Sequence, residues 1–209
     1  MVVVALVSGG VDSIVMCKIL NEDFDKILPL FIDYGQLSSE KEWESCQILL
    51  KECGLPEAVK IDINGFGKVI KSGITDVSKD INKEAFLPCR NQIFLTIGAS
   101  YAYQEGADGI AIGILSEKFH IFPDQTEEFI VNTNTAINSA LDKDITILTP
   151  LINFSKEEVI KLAHKHNVPL DKTYSCHKGE GVYCGDCISC REIIDSGKKD
   201  EFSQFNEVK

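Results

Sequence analysis

The strongest constraint on this chain comes at its start. Val2-Val3-Val4-Ala5-Leu6-Val7 is an unbroken apolar run, mostly β-branched. It lacks the polar alternation of a strand with one wet face and instead fits a strand covered on both sides, as in a parallel sheet packed between helices. Gly9 and Gly10 punctuate it, and apolar residues then recur at Ile14, Val15, Ile19 and Leu20, a helical spacing. Strand, glycine turn and helix in that order open a βαβ unit.

The same alternation runs through the rest of the chain. Further strands are expected at 27–34, with Pro29 making the start irregular, and at 58–63, 109–114 and 145–148. A helix capped by Ser38 or Ser39 carries Trp43, Cys46, Leu49 and Leu50 on one stripe and ends before Gly54. Others are expected from Pro88-Cys89-Arg90-Asn91 to about Gln104, over 126–141, and after the capping box Ser155-Lys156-Glu157-Glu158. Between 64 and 85 the pattern breaks down, which predicts a long, partly mobile loop. These elements predict an α/β fold, doubly wound, with a mostly parallel five-stranded sheet. Residues 1–170 are expected to form the α/β domain, with 171–209 as a cysteine-bearing segment packed on it.

Composition narrows the classes of partner. A net charge of −11 argues against a broad nucleic-acid footprint, which needs clustered Lys and Arg, though a local nest of backbone N–H groups can still hold a small anion. No apolar run is long enough to cross a bilayer, and the Val2–Val7 stretch lacks the flanks of a secretory signal. The expectation is a cytoplasmic protein without membrane contact.

Ser8-Gly9-Gly10-Val11-Asp12-Ser13 lies where the first strand meets the first helix, the place where open parallel sheets bind ligands. Its glycines bring backbone N–H groups close to an anion, and the helix adds its free N–H groups and positive dipole end. The Ser8 and Ser13 hydroxyls can donate to phosphate oxygens, while Asp12 is either a helix cap or a partner for nucleotide-bound Mg²⁺. No Gly-Lys-Ser/Thr follows, so this is not a Walker loop.

Eight cysteines divide unevenly: four are scattered, and Cys176, Cys184, Cys187 and Cys190 crowd together. In a reducing compartment such a cluster reads as a metal site. Four thiolates suit tetrahedral Zn²⁺ in a closed, structural site. An iron–sulfur cluster is the chemical rival, and His177 is a possible substitute ligand.

The loop Ser8 to Ser13 resembles the SGGxDS pyrophosphate loop of the PP-loop ATPases, the adenine nucleotide α-hydrolase superfamily with its Rossmann-like HUP fold. Together with Asp33-Tyr34-Gly35-Gln36, Phe86-Leu87-Pro88-Cys89-Arg90-Asn91, Phe122-Pro123-Asp124, Glu128-Phe129, Thr149-Pro150-Leu151-Ile152 and Ser175 to Cys190, it resembles the 7-cyano-7-deazaguanine synthase (QueC) family over nearly the whole chain. The resemblance implies that ATP adenylates the carboxylate of 7-carboxy-7-deazaguanine, that ammonia displaces AMP to give the amide, and that a second ATP drives dehydration to the nitrile. Asp12, Ser13, Arg90 and Asp124 would then be catalytic. Ser8 to Ser13, Gln36, Arg90, Asn91 and Lys118 would hold ATP, with Asp124 taking N–H donors of the guanine-like face, and the protein is expected to be a homodimer.

Three positions depart from the family pattern. Cys89 stands for a Gly and is expected to be a small core residue or a nucleophile; Gln125-Thr126 stand for Cys-Arg; Leu37 follows Gln36 where Arg is common. The altered acceptor side leaves open transfer of the activated acyl group to a protein amine, as in QueC-like proteins of antiphage defence. A non-catalytic nucleotide-binding regulator and a tRNA sulfur-transfer enzyme are the readings from other classes.

Overall fold

The computed structural model describes residues 1–116, 118 and 122–205, so the last four residues of the expected C-terminal segment lie outside it. Five parallel strands, β1 (Val2–Val7), β2 (Lys26–Asp33), β3 (Val59–Asp62), β4 (Gly109–Ala111) and β5 (Thr146–Leu148), lie in the order β3-β2-β1-β4-β5. The expected doubly wound α/β fold is therefore present, and the chain reverses direction across the sheet between β1 and β4.

β1 is central and buried from Val3 onward. Its side chains alternate between two cores, as the pleat requires. Val3, Ala5 and Val7 pack with Ile14, Leu20, Leu49, Ile160 and the C-terminal residues Tyr183, Phe202 and Phe205. Val4 and Leu6 pack on the other face with Leu95, Ala99, Ile130 and Ile137. The helices that supply these covers are α1 (Val11–Asp23), α2 (Ser39–Glu52) and α6 (Lys156–Lys165) below, and α4 (Arg90–Gln104) and α5 (Glu127–Leu141) above.

Pro29 does not disturb β2. It lies opposite Ala5 of β1, while pairing to β3 starts only at Leu30, so the proline precedes the section paired on both sides. The predicted strand 109–114 is shorter as a ladder, although Ile112 still donates to the Leu148 carbonyl. Ser38 occupies the position before α2 without capping it; its hydroxyl donates instead to Glu42 at 2.6 Å. Ser155 and Glu158 form the predicted capping box of α6.

The stretch expected as a loose loop is tied down. It contains the short helix α3 (Gly65–Val69), buries Ile74, and bonds to the body through Leu37 N–H to the Ile74 carbonyl, while Gly73 N–H and the Glu84 carbonyl close it on itself. Its turns are made by Asp and Ser side chains bonding nearby backbone, for example Asp76 to Ser78 and Asp80 to Asn82. Such turns leave no hydrophobic period to read.

Two backbone positions carry specific costs. Gly9 has φ of +78°, and a Cβ there would stand 2.4 Å from the Glu42 carbonyl oxygen. Cys89, just before α4, holds φ of 60° as a non-glycine residue and is exposed, which overturns the expectation of a core cysteine. Gly9→Ala is expected to destabilise the fold by more than about 2 kcal/mol, combining left-handed strain and overlap. Gly54→Ala, with φ of +66° and nothing within 4 Å, carries the strain alone and is expected to cost about 1 kcal/mol. Cys89→Gly relieves strain but loosens the unfolded chain, for a net gain below about 1 kcal/mol. Denaturant midpoints of the three variants against the parent check the ranking.

Candidate functional site

A cleft of about 680 Å³ opens beyond the carboxyl ends of β1, β2 and β4, within the size range of small-molecule sites. Its position at the β1/β4 reversal is where an open α/β sheet leaves room for a ligand.

The turn after β1 forms one wall. Ser13 Oγ organises it, accepting from Ser8 N–H at 3.2 Å and donating to the Gly10 carbonyl at 3.0 Å. The Gly9 carbonyl is drawn into the protein by Ser45 Oγ at 3.0 Å and Tyr174 N–H at 2.9 Å. Helix α1 then starts at Val11 with Gly10 before it and no side-chain cap. Its first-turn N–H groups have no intrahelical acceptors, and they point out of the helix end toward the cleft that Ser8, Gly10, Asp12 and Ser13 line. Val11 is buried and contributes only backbone here, and Gly9 lies behind the lining. Asp12 sits inside the first turn rather than capping it.

Asp12 has a partner that the sequence did not announce. Lys156 Nζ lies 2.6 Å from Asp12 Oδ2 and 3.3 Å from Glu192 Oε2, and its side chain is 11% exposed. Burial alone would lower the Lys156 pKa, but the two carboxylates reverse this and hold it raised, so it stays an ammonium. The available sequence signal was an oddity of placement, because a Lys in the first position of a helix faces the positive dipole end. Glu192 comes from α7 (Ile188–Asp195), which nothing in the sequence linked to the Ser8–Ser13 turn.

The opposite wall is the start of α4. Asn91 is buried; its backbone N–H donates to Asp124 Oδ2 at 3.2 Å and its Nδ2 to the Asp124 carbonyl at 2.9 Å. Asp124 thus holds the N-terminus of α4 and stands behind the cleft lining, whereas Arg90 and Asn91 face the cleft. Among the described residues no carboxylate lies within ion-pair distance of Arg90. Its charge is felt by Tyr34, Glu42 and His177. Burial, with Arg90 adding to it, pushes His177 down to about 4, and its Nδ1 is buried without a partner. Gln36 is buried, donates to Glu42 Oε2 at 3.0 Å and accepts from Tyr34 N–H at 3.0 Å. Burial raises the pKa of Glu42. Lys118 is exposed and does not line the cleft.

The departures on the acceptor side have structural uses. Gln125 Oε1 accepts from Phe122 N–H at 2.9 Å, and Thr126 Oγ1 caps α5 by accepting from Phe129 N–H at 3.1 Å. Gln125 closes the short 3-10 turn Pro123–Gln125 and also lines the cleft, while Thr126 starts α5.

Behind the cleft, the sulfurs of Cys176, Cys184, Cys187 and Cys190 all lie within 4.8 Å of one another, and three of the four residues are buried. Backbone N–H groups of Cys184, Asp186 and Cys187 point at cluster sulfurs at 3.3–3.4 Å. Sulfurs sharing one ion at about 2.3 Å stand about 3.8 Å apart, and Cys184 and Cys190 stand at 3.9 Å. The donor set therefore fits a single tetrahedral ion. His177 is directed to the cleft instead and is not part of the cluster.

Comparison with known proteins agrees with this arrangement. The family model described as "Queuosine biosynthesis protein QueC" matches residues 2–196. A 7-cyano-7-deazaguanine synthase of Aliarcobacter butzleri is 36% identical over 94% of this chain and 92% of its own. The synthase of Nautilia profundicola is 36% identical over 90% and 89%. Among solved structures, a predicted subunit of tRNA methyltransferase from Methanocaldococcus jannaschii shares the fold, with a TM-score of 0.54 and 20% identity over 78% of this chain and 76% of that one. With a family match across nearly its full length, and relatives above 30% identity that it covers almost end to end, the chain belongs to the QueC family.

Proposed function

We propose that the protein is an ATP-dependent ligase that converts 7-carboxy-7-deazaguanine and ammonia into 7-cyano-7-deazaguanine by way of the amide. The observation that carries this reading is the uncapped start of α1. It opens, with Ser8, Ser13 and Lys156, on the same cleft that Arg90 enters from the opposite wall. Free N–H groups and an ammonium at one end suit phosphates, and at the other a guanidinium that bonds Tyr34 but, among the described residues, has no carboxylate partner suits a carboxylate or an α-phosphate.

In this reading the N–H groups of Gly10, Val11, Asp12 and Ser13 and the hydroxyl of Ser8 hold the nucleotide's phosphates. Mg²⁺ would neutralise phosphate charge beside Asp12, whose Oδ1 is buried without a partner. Gln36 and Asn91 shape the cleft wall between the two ends. Arg90 aligns the acceptor carboxylate with the α-phosphorus and steadies the charge that develops as pyrophosphate leaves. Asp124 acts on this step through Asn91, by fixing the N-terminus from which Arg90 extends. Neutral His177 offers a hydrogen-bonding nitrogen to the acceptor without adding charge. Lys118 has no assigned part beyond attraction of phosphate from the surface.

The cysteine cluster is assigned to one Zn²⁺ with a structural role, because four thiolates leave no open position. The protein is placed in the cytoplasm, where such thiols stay reduced, and is expected to act as a homodimer. Among the described residues no helix is long and apolar enough to cross a membrane. Transfer of the acyl group to a protein amine is the second reading, favoured by one observation: Thr126 caps α5 where the family has an Arg, and Gln125, which closes the preceding turn, lines the cleft as an amide where the family has a Cys.

Incubation with the carboxylate, ATP, Mg²⁺ and ammonium separates these readings by product mass. The nitrile with two AMP per product is expected; an amide or protein conjugate with one AMP favours the second reading, and absence of AMP sinks both. For the metal, Cys187→Ser is expected to lower zinc below one per chain and to lower the melting midpoint, because metal binding and folding of the segment are linked. Elemental analysis alongside a melt checks it.

A further inference from the structure

Glu192 is far in sequence from the phosphate loop, yet Asp12, Lys156 and Glu192 line the cleft together. Lys156 Nζ bridges the two carboxylates, at 2.6 Å and 3.3 Å. Its place at the first position of α6 sets it against the helix dipole, and its low exposure removes most hydration. Asp12 alone could supply a counter-charge. The second carboxylate leaves one ammonium shared between two acceptors, and Asp12 Oδ1 buried with no partner.

We propose that Glu192 is a positioning residue for nucleotide binding. Lys156 and Asp12 are in contact at 2.6 Å, and Glu192, at 3.3 Å, takes a share of the same ammonium, so that the pair is not self-contained. Asp12 thereby stays open to the nucleotide's metal ion, and Lys156 to its phosphates. Helix α7, which follows Cys187 and includes Cys190, carries Glu192 to this place. The cysteine segment therefore supplies the phosphate loop with a charge as well as a support. The inference rests on the ATP-dependent reading above.

The test compares wild type with Glu192→Gln, Glu192→Asp and Arg191→Ala, the last removing an exposed ion pair of the same helix with Asp186. Each is measured for binding of a non-hydrolysable ATP analogue with Mg²⁺, for KM and kcat, for zinc content and for melting midpoint. Glu192→Gln is expected to raise KM for Mg-ATP about tenfold and to raise the Mg²⁺ concentration needed for half activity, with kcat within about threefold of wild type. Glu192→Asp should restore part of the affinity, and Arg191→Ala should match wild type in KM. An unchanged KM in Glu192→Gln overturns the proposal, and so does a rise that tracks lost zinc or a lowered melting midpoint. Wild type that neither binds the analogue nor forms AMP overturns the ATP reading and this proposal with it. Nucleotide binding in wild type that Glu192→Gln leaves unaltered overturns this proposal alone.

Discussion

The carbonyl of Gly9 takes a hydrogen bond from the backbone of Tyr174 and lies 3.0 Å from the Ser45 hydroxyl of α2, which is shared with the Lys172 carbonyl at 2.6 Å. These contacts turn the Gly9 carbonyl inward, so that the backbone groups the turn presents at the start of α1 are N–H donors, with the Asp12 carboxylate beside them. The close packing they require leaves no space for a side chain at Gly9, since a Cβ would meet the backbone of α2 at 2.4 Å and 2.8 Å. The geometry of the turn thus depends on the docking of α2 and of the tail, and the tail also lines the cleft beside it through Tyr174, Ser175 and Glu192.

Charge in the cleft is arranged by ends. One end holds the α1 N-terminus and Lys156, the latter kept charged by two carboxylates. The other holds Arg90 beside a neutral His177 and a buried Glu42 bonded to Ser38 and Gln36. The side chains of the cleft do not sum to a positive charge, since Lys156 is outnumbered by Asp12 and Glu192 at its end; what it offers an anion is local, backbone N–H groups at the start of α1 and the Arg90 guanidinium.

Much of the fold was legible because it depends on local pattern. The apolar run of β1, the stripe on α2 and the capping box at Ser155 each state their structure within a few residues, and the cysteines name their cluster by crowding. What was not legible depends on meetings across the chain. Lys156 reads as a helix-opening residue until Asp12, 144 positions away, is placed against it. Asp124 reads as a ligand-facing carboxylate until Asn91 is seen to use it. Cys89 reads as a small apolar filler, whereas its left-handed backbone and exposure follow from the turn into α4. The 64–85 stretch hides its order because side chain-to-backbone turns hold it, and these have no period.

The aromatic cluster of the tail bears on how the chain reaches its native state. Tyr183 packs edge-on against Phe205, with ring centroids 4.8 Å apart, and Phe202 fills the core beneath β1. The underside of the central strand is thus covered in part by residues made some two hundred positions after it. During synthesis α1, α2 and α6 can cover most of the lower face of β1 before the tail is made, but the part of that core filled by Tyr183, Phe202 and Phe205 is completed only once residue 205 has emerged. Until then the lower core is unfinished, an interval in which aggregation competes with folding.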